Sequence, residues 1–314
     1  MIIEQPAPNE PRRPQGPRNP GDAWVIAPDG QRYWGRFGAA GLLVVDPHRG
    51  ILLQHRASWS HHGDTWGLPG GALHENETAA AAALREAAEE AGVPAASVRP
   101  RLMSVLDLGV WSYSTLTADV TVPFEPVISD QESRELAWVP VEGVESLPLH
   151  PAFATSWPRL RALLPVRPVV VVDAANVMGS VPDGWWKDRA GAAGRLLEAV
   201  SALAVRGIPA GVLGLPEDAW FPDYVVVVEG NARGVVAPDV PTPTDVQTPA
   251  VPASVKLVRA EGAGDDAIVA CARRLVDEGR RVTVATCDRG LADRCGSAGA
   301  GIIGAGQLRN VLAY

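Results

Sequence analysis

The apolar residues in the first half of the chain are spaced mostly as in short β-strands. Residues 39–46 form a nearly continuous apolar run that predicts a buried strand, and residues 51–56 predict its hairpin partner across a short turn. Residues 77–91 are alanine-rich, lack proline and precede Gly92, which together predict a helix with a glycine cap. This pattern indicates a mixed α/β domain. Further strands are predicted at 101–108, 110–122 and 135–141, and a closing helix at 151–164.

The pattern changes near residue 165. The run Val169–Val172 is continuously β-branched, which is typical of a parallel strand covered on both faces. Helical and strand patterns then alternate, which predicts an α/β domain with a mostly parallel sheet. Residues 238–252 contain five prolines and predict a long exposed loop. Helices are predicted at 189–205, 265–278 and 289–295, and strands at 208–213, 224–228, 254–258 and 281–285.

Three segments follow from these patterns. Residues 1–21 are proline-rich with few apolar groups and predict a flexible tail, residues 22–164 a first domain and residues 165–314 a second. The start of the chain lacks the apolar core of a secretory signal. No apolar run reaches the roughly 18 residues of a membrane span. We therefore expect a soluble cytoplasmic protein without a membrane partner.

Composition restricts the chemistry. The formal net charge is −8, and both halves are acidic, with 13 basic and 19 acidic residues before residue 165 and 15 and 17 after it. This argues against a protein whose main role is to hold nucleic acid on a broad basic face. The three cysteines have no CxxC spacing, which argues against a disulfide framework or a zinc knuckle. Because all six histidines lie at or before His150, chemistry in the second half must depend on carboxylates.

Three glutamates of the predicted helix carry the strongest chemical signal. Glu86, Glu89 and Glu90 have the spacing i, i+3, i+4 and share one helical face. Such close like charges repel each other, but a divalent cation between them would remove the repulsion. Carboxylate oxygens at this spacing suit Mg²⁺, or Mn²⁺ in its place. The competing interpretation is the solvated acidic face of a surface helix.

The segment from Gly71 to Val93 resembles the signature of the Nudix hydrolases, G-x5-E-x7-R-E-U-x-E-E-x-G-U, where U is a bulky aliphatic residue. Only Ala87 departs from it, at a packing position. The resemblance covers roughly residues 35–160 and implies an α/β/α sandwich with a mixed sheet. It also implies Mg²⁺-dependent hydrolysis of the diphosphate linkage of a nucleoside triphosphate or another nucleoside diphosphate derivative.

The resemblance implies roles for individual residues. Arg85 and Glu77 would pair and hold the loop against the helix. The general base would be Glu86 or Glu89. A carboxylate outside the motif sometimes serves in this family, and the candidates here are Asp119, Glu125, Glu132 and Glu135. The metal ligands would be the carbonyl oxygen of Gly70 and the carboxylates of Glu86, Glu89 and Glu90.

Four side chains near the motif are candidates for contacting the nucleotide. Trp66 would stack on a base, and His62 would contact a phosphate. The alternative is a solvent-exposed loop with the tryptophan packed in the core. Trp111 and Tyr113 lie on a predicted strand that faces the motif in related proteins, and the same two interpretations apply to them.

A second set of polar residues lies in the second half. Asp173 ends a buried strand with Asn176 three residues later, Asp265 and Asp266 open a helix, and Asp288 ends another strand. Since strand ends and helix starts meet at one edge of a parallel sheet, we expect these side chains to form a Mg²⁺ or Mn²⁺ site there. The competing interpretation is that these aspartates cap helices and turns.

The ordered segments DAAN, GDDAIV and TCDRG, across residues 168–314, resemble the PIN and NYN superfamily of metal-dependent ribonuclease domains. Glu229 would add a fourth acid, and Cys287 replaces the usual Ser or Thr. This resemblance implies a PIN-like α/β domain with RNA as a partner. The segment Trp185–Lys187 would either stack on bases or pack in the interior.

Three functions stay open on these observations. The first is a Nudix enzyme acting on a nucleotide, with a PIN-like domain attached. The second is an RNA-processing nuclease whose Nudix part senses a nucleotide or trims RNA 5′ ends. The third is a binding module, which the complete set of motif glutamates argues against, because a sensor does not need a metal cluster.

Overall fold

The computed structural model describes residues 2–5, 21–60, 62–129, 131–180, 184–236 and 255–312. The chain divides into two compact units, one containing Met1–Leu164 and one that begins at Pro165. The predicted loop at 238–252 lies outside the described residues, as does most of the predicted tail. Within the described ranges, no helix is both long and apolar enough to cross a membrane.

The first unit begins with a small antiparallel sheet of three strands. These are β1 (Ile2–Glu4), β2 (Trp24–Ile26) and β3 (Arg32–Trp34), in that spatial order. The tail prediction is therefore wrong at its start, because residues 2–4 are a strand. Its partner lies about twenty residues away, with Ile2 opposite Ile26, so local composition does not reveal the pairing.

The larger sheet of the first unit is mixed, as the sequence predicts. Its strands are β4 (Ala39–Asp46), β5 (Gly50–Arg56), β6 (Trp66–Gly67), β7 (Gly70–Ala72), β8 (Val98–Asp107), β9 (Ser112–Val120) and β10 (Ser133–Val139). The long strands lie in the order β10-β5-β4-β9-β8, and β6 and β7 pair with β5 and β4. β4 is parallel to β9 but antiparallel to β5 and β7.

Two helices cover this sheet. α1 (Ala79–Ala91) starts two residues later than predicted, because Thr78 is its N-cap and accepts the Ala81 N–H at 3.2 Å. α1 contacts β4, β7 and β9. α2 (Pro151–Leu163) buries Phe153, Trp157 and Leu160 against alternate residues of β4 and β5. Short 3₁₀ helices occur at Ala95–Ser97 and Val141–Ser146.

The second unit contains a five-stranded sheet in which every strand pairs parallel with its neighbours. The strands of this unit are β11 (Pro168–Asp173), β12 (Ile208–Pro209), β13 (Ala219–Trp220), β14 (Asp223–Val228), β15 (Val255–Arg259), β16 (Arg281–Ala285) and β17 (Gly301–Ile303). The parallel order is β15-β14-β11-β16-β17. Central β11 is buried along its whole length, as its β-branched run predicts.

Helices lie between these strands along the chain. They are α3 (Ala174–Gly179), α4 (Arg189–Arg206), α5 (Ala210–Leu213), α6 (Gly264–Asp277), α7 (Arg289–Ser297) and α8 (Ala305–Leu312), with a 3₁₀ helix at Gly230–Gly234. α6 and α7 pack on the face of the sheet that includes Val169 and Val171. The neighbouring residues of β11 are equally buried on the opposite face.

The strand predicted at 208–213 is wrong beyond its second residue. Only Ile208–Pro209 is extended, and Ala210–Leu213 forms a helical turn that ends at Gly214, whose φ is 60°. A short apolar run does not by itself distinguish a strand from a helical turn. The glycine that permits this left-handed ending is the local signal that decides the outcome.

Gly92 provides a test of the end of α1. It has φ 63°, and a Cβ there would lie 3.2 Å from Cβ of Val127. We expect Gly92→Ala to lower the free energy of unfolding of the first unit by about 1–2 kcal/mol, because the left-handed conformation is costly for other residues. Urea unfolding followed by circular dichroism measures the change. Gly143→Ala is the control, since its nearest contact would be 3.8 Å, and equal losses for both variants would contradict the expectation.

Candidate functional site

The predicted metal carboxylates lie against a glycine turn. Glu86 and Glu90, on α1, are 1% and 2% exposed. The backbone N–H of Gly70 donates to Oε2 of Glu90 at 2.8 Å. A Cβ on Gly71 would lie 2.7 Å from the carboxylate of Glu86, so only glycine allows the turn to approach this closely.

Arg85 offsets much of the negative charge. Its Nε and Nη2 each donate to one oxygen of Glu77 at 2.8 Å, and Nη2 also donates to the carbonyl of Ala72 at 3.0 Å. Its Nη1 donates to Oε1 of Glu86 at 2.7 Å and reaches Glu89 at 3.4 Å. One guanidinium therefore connects the loop to the face of α1 that carries the glutamates.

These contacts shift the pKa values of both Glu77 and Arg85. Burial alone would raise the pKa of Glu77, but hydrogen bonds from Arg85 and the His74 N–H, with the charge of Arg85, bring it below its usual value. Burial alone would lower the pKa of Arg85, but Glu77 and Glu89 raise it. Both groups are thus held in their charged forms.

The three predicted ligands share a face, yet they are not gathered around one point. Glu86 lies in its ion pair, Glu90 accepts from the turn, and the Glu89 side chain is 46% exposed. No group of three or more His, Cys, Asp or Glu side chains, within the part of the chain that the structure describes, is close enough to hold a metal ion. The predicted metal site stays a prediction.

The first pair of predicted substrate residues lies beside the sheet. Trp66 is buried in the core under α2, with its ring stacked on His55 at 4.8 Å, so little of it is left for a ligand. His62 is exposed, and its ring contacts that of His150 edge-on at 4.8 Å. Their predicted roles stay predictions.

The second pair of predicted substrate residues lies near the glutamates. Tyr113 is half-buried, and burial together with the charge of Glu90 raises its pKa to about 12. Trp111 donates from Nε1 to the carbonyl oxygens of Trp34 and Gly35, both at 3.1 Å. Its ring stacks on Tyr33 at 4.8 Å, a contact that local sequence spacing does not reveal.

The strand register places two of the four alternative general-base residues far from the glutamate motif. β7 pairs with Ala39–Gly41 at the start of β4, whereas Asp119 lies opposite the other end of β4, about six residues or 20 Å away. Glu125 lies near that far end, where it pairs with an arginine of the β4–β5 turn at 3.0 Å. Glu132 and Glu135 stay as candidates.

In the second unit, the predicted polar residues line a cleft of about 520 Å³ at the C-terminal edge of the parallel sheet. Asp173 accepts the Asn176 N–H at 3.0 Å and the Thr286 hydroxyl at 2.9 Å. The Cys287 N–H donates to Oδ1 of Asn176 at 3.0 Å. The acidic residues in the lining are Asp173, Glu229, Asp265 and Asp288.

Of the two adjacent aspartates of α6, Asp265 lines this cleft and Asp266 does not. The Asp266 carboxylate pairs with Arg294 at 2.5 Å on a separate surface between α6 and α7. Adjacent residues of a helix project about 100° apart, so one of the two neighbouring aspartates faces the cleft and the other faces away. Thr286 directly follows β16 and begins the TCDRG segment, but the sequence assigns it no role of its own.

The cleft also perturbs Asp173. Burial raises its pKa, and the nearby charges of Asp265 and Glu229 act in the same direction, while the hydrogen bonds from Asn176 and Thr286 oppose the rise. A buried carboxylate surrounded by others is disfavoured in its charged form unless a cation joins the group. The capping interpretation is confirmed for Asp288, which accepts the Leu291 N–H at 2.8 Å at the start of α7, and the metal site stays a prediction.

Comparisons with known proteins bear on the first unit. The NUDIX domain family matches residues 35–161. A Mycobacterium tuberculosis protein named putative 8-oxo-dGTP diphosphatase 3 is 48% identical over 154 residues, which cover 46% of this chain and 70% of that protein. A Bifidobacterium longum nucleoside triphosphate pyrophosphatase/Nudix hydrolase fusion protein is 41% identical over 155 residues, which cover 46% of this chain and 32% of that protein.

Among solved structures, the Nudix hydrolase RenU from M. smegmatis is 48% identical, with 46% of this chain and 94% of that chain covered and a TM-score of 0.43. The family assignment comes from the sequences. The M. tuberculosis protein is matched over more than two thirds of its length at 48% identity, and the NUDIX match covers the glycine turn and its glutamates. On these grounds, the chain belongs to the Nudix hydrolase family.

Proposed function

We propose that the first unit hydrolyses the diphosphate linkage of a nucleoside triphosphate or another nucleoside diphosphate derivative, with Mg²⁺ or Mn²⁺. The observation that carries the proposal is the pair of almost fully buried carboxylates, Glu86 and Glu90, held against a glycine turn. Burying carboxylates is costly, and a divalent cation offsets that cost while it binds phosphate oxygens.

The residues present fit such an ion. The donor set would be the carboxylates of Glu86, Glu89 and Glu90 with the carbonyl oxygen of Gly70, all of them oxygen ligands. Because position 71 has no Cβ, the backbone of the turn can lie directly against the Glu86 carboxylate. When bound, the metal would polarise a phosphoryl oxygen and lower the pKa of an attacking water.

The chain's own residues would position the reactants. Arg85 and Glu77 would fix the loop so that Gly70 keeps its place over α1. Glu89, the most exposed of the three glutamates, would take the proton of the attacking water, and Glu86 is the alternative. Orientation and charge neutralisation would supply most of the rate.

The nucleotide would lie along the end of the sheet next to α1. The Tyr113 hydroxyl lies against Gly41, the β4 residue that pairs with Gly70, so an aromatic ring lies beside the proposed metal ligands. Tyr113 and Trp111 would contact the base and His62 a phosphate, whereas Trp66, which is buried, would support the loop from below. The name of the M. tuberculosis relative makes 8-oxo-dGTP the first substrate to test.

The metal mechanism predicts large losses on conservative substitution. We expect Glu89→Gln and Glu90→Gln each to lower turnover at least a hundredfold, because an amide of the same shape lacks the charge that binds Mg²⁺. Phosphate and pyrophosphate release would be followed with oxidised and ordinary nucleoside triphosphates, ADP-ribose, dinucleoside polyphosphates and nucleotide sugars. Glu142→Gln, an exposed glutamate of the same unit, is the matched control. Turnover untouched in both motif variants, or no turnover of any substrate, would reject the mechanism.

The Arg85–Glu77 pair predicts a pH-dependent stability. A carboxylate whose pKa is lowered in the folded state stabilises the fold fully at pH values above its ordinary pKa of 4.5. This contribution is lost as the pH falls through the pKa of the folded state. We expect Glu77→Gln to cost about 1–3 kcal/mol at pH 7 and less at pH 4. Urea unfolding at the two pH values measures this difference. A cost in Glu77→Gln that does not change with pH would be the contrary result.

We propose a second function for the second unit, that of a metal-dependent ribonuclease of the PIN and NYN type. The cleft that collects Asp173, Asp265, Asp288 and Glu229 supports it. These oxygen donors suit Mg²⁺ or Mn²⁺, and the hydrogen bonds of Asp173 to Thr286 and Asn176 would hold its carboxylate in place. A bound metal would activate water toward a phosphodiester.

The nuclease proposal predicts that Asp288→Asn abolishes RNA cleavage without unfolding the unit. Asparagine still accepts the Leu291 N–H as an N-cap, so stability is kept while the metal-binding charge is lost. Cleavage of a labelled single-stranded RNA with Mg²⁺ or Mn²⁺ should fall at least a hundredfold. Asp293→Asn, an exposed aspartate on α7, is the control. Intact RNA with both metals, in a preparation that hydrolyses nucleotides, would reject this function.

A further inference from the structure

Two adjacent tryptophans lie next to the acidic cleft of the second unit without lining it. Trp186 is 58% exposed, and Trp185 is half-buried. Their ring centroids are 6.3 Å apart with an interplanar angle of 84°. Of the sequence alternatives, interior packing is wrong for Trp186. An indole left in water forgoes the stabilisation that its burial would give, so its position needs another explanation.

Trp185 and the neighbouring Arg189 lie close to residues on two sides of the cleft. Cζ2 of Trp185 lies 3.7 Å from the place of a Cβ on Gly179, which lines the cleft. The guanidinium of Arg189 lies 5.2 Å from the Trp185 ring centroid. Its Nη1 is 3.9 Å from the place of a Cβ on Gly230, which directly follows the acidic Glu229. We call Trp185, Trp186, Lys187 and Arg189 the aromatic rim.

The charge of the rim complements that of a polyanion. The cleft carries four carboxylates and would repel phosphates approaching without metal. Lys187 and Arg189 are exposed, and the acidic Asp188 between them accepts the Gly191 N–H at 2.9 Å as the N-cap of α4. Both cations are therefore available to phosphates that extend beyond the metal ligands.

We propose that the aromatic rim binds the bases of a single-stranded polynucleotide whose backbone continues into the cleft. The inference rests on the second proposed function. A base stacks on an exposed indole only when its face is uncovered, which is the case in single strands and not within a duplex. Arginine against an aromatic ring and lysine beside it contact phosphates without reading sequence. The rim thus selects unpaired strands.

Binding of the full chain to fluorescein-labelled oligonucleotides, measured by fluorescence anisotropy, tests this proposal. The probes are 12-nucleotide oligouridylate, oligothymidylate and an RNA duplex, with Ca²⁺ to neutralise the carboxylates. We expect Trp186→Ala to weaken binding of the single strands about tenfold or more and Trp186→Phe to restore most of it. Trp59→Ala, which removes an exposed indole of the first unit, is the control and should leave affinity unchanged. Circular dichroism verifies that each variant is folded.

The possible outcomes distinguish failure of the proposed rim from failure of the proposed nuclease function. Equal affinity of wild type and Trp186→Ala for single strands overturns the proposal, as does duplex binding as tight as single-strand binding. Binding of RNA without DNA supports it and narrows the partner to RNA. RNA cleavage is measured in a separate assay with Mn²⁺. If binding depends on Trp186 but no RNA is cleaved, the aromatic rim is supported and the nuclease function is rejected. If RNA is cleaved but binding does not depend on Trp186, the nuclease function is supported and the role of the rim is rejected.

Discussion

The first unit depends on the burial of two carboxylates against backbone. Glu86 and Glu90 lie almost without solvent beneath the turn at Gly70 and Gly71, and such groups are stable there only with matching positive charge or hydrogen bonds. Arg85 and the turn N–H supply these in the structure. The close approach of the glycine turn to α1 follows from this requirement.

The second unit meets the same constraint with a different scaffold. Its carboxylates come from separate strands and helices that share only the edge of a parallel sheet. Burial raises the pKa of Asp173 and its acidic neighbours add to the rise, whereas hydrogen bonds and the charge of Arg85 lower the pKa of Glu77 despite its burial. The first unit thus neutralises part of its carboxylate charge with its own arginine. The carboxylates of the second unit depend more on a cation that is not part of the chain.

Much of this could be predicted from local pattern. The glutamate face of α1, the buried β11 and the position of Asp173 follow from residue spacing alone. What could not be predicted depends on partners distant in sequence, such as the pairing of β1 with β2 and the ring of Tyr33 on Trp111. The sequence also does not decide which of Asp265 and Asp266 lines the cleft, because that depends on the direction in which each residue projects from α6.

The indole hydrogen bonds of Trp111 have a consequence for where the enzyme begins. The carbonyl groups that accept them belong to Trp34 and Gly35, and the ring stacked on the indole is Tyr33. A chain trimmed to the family match at residues 35–161 would keep every glutamate of the motif. It would nevertheless lose Tyr33 and Trp34, and with them the stacked ring and one of the two carbonyl groups that hold the Trp111 indole. The family match therefore begins within this group of contacts and not before it.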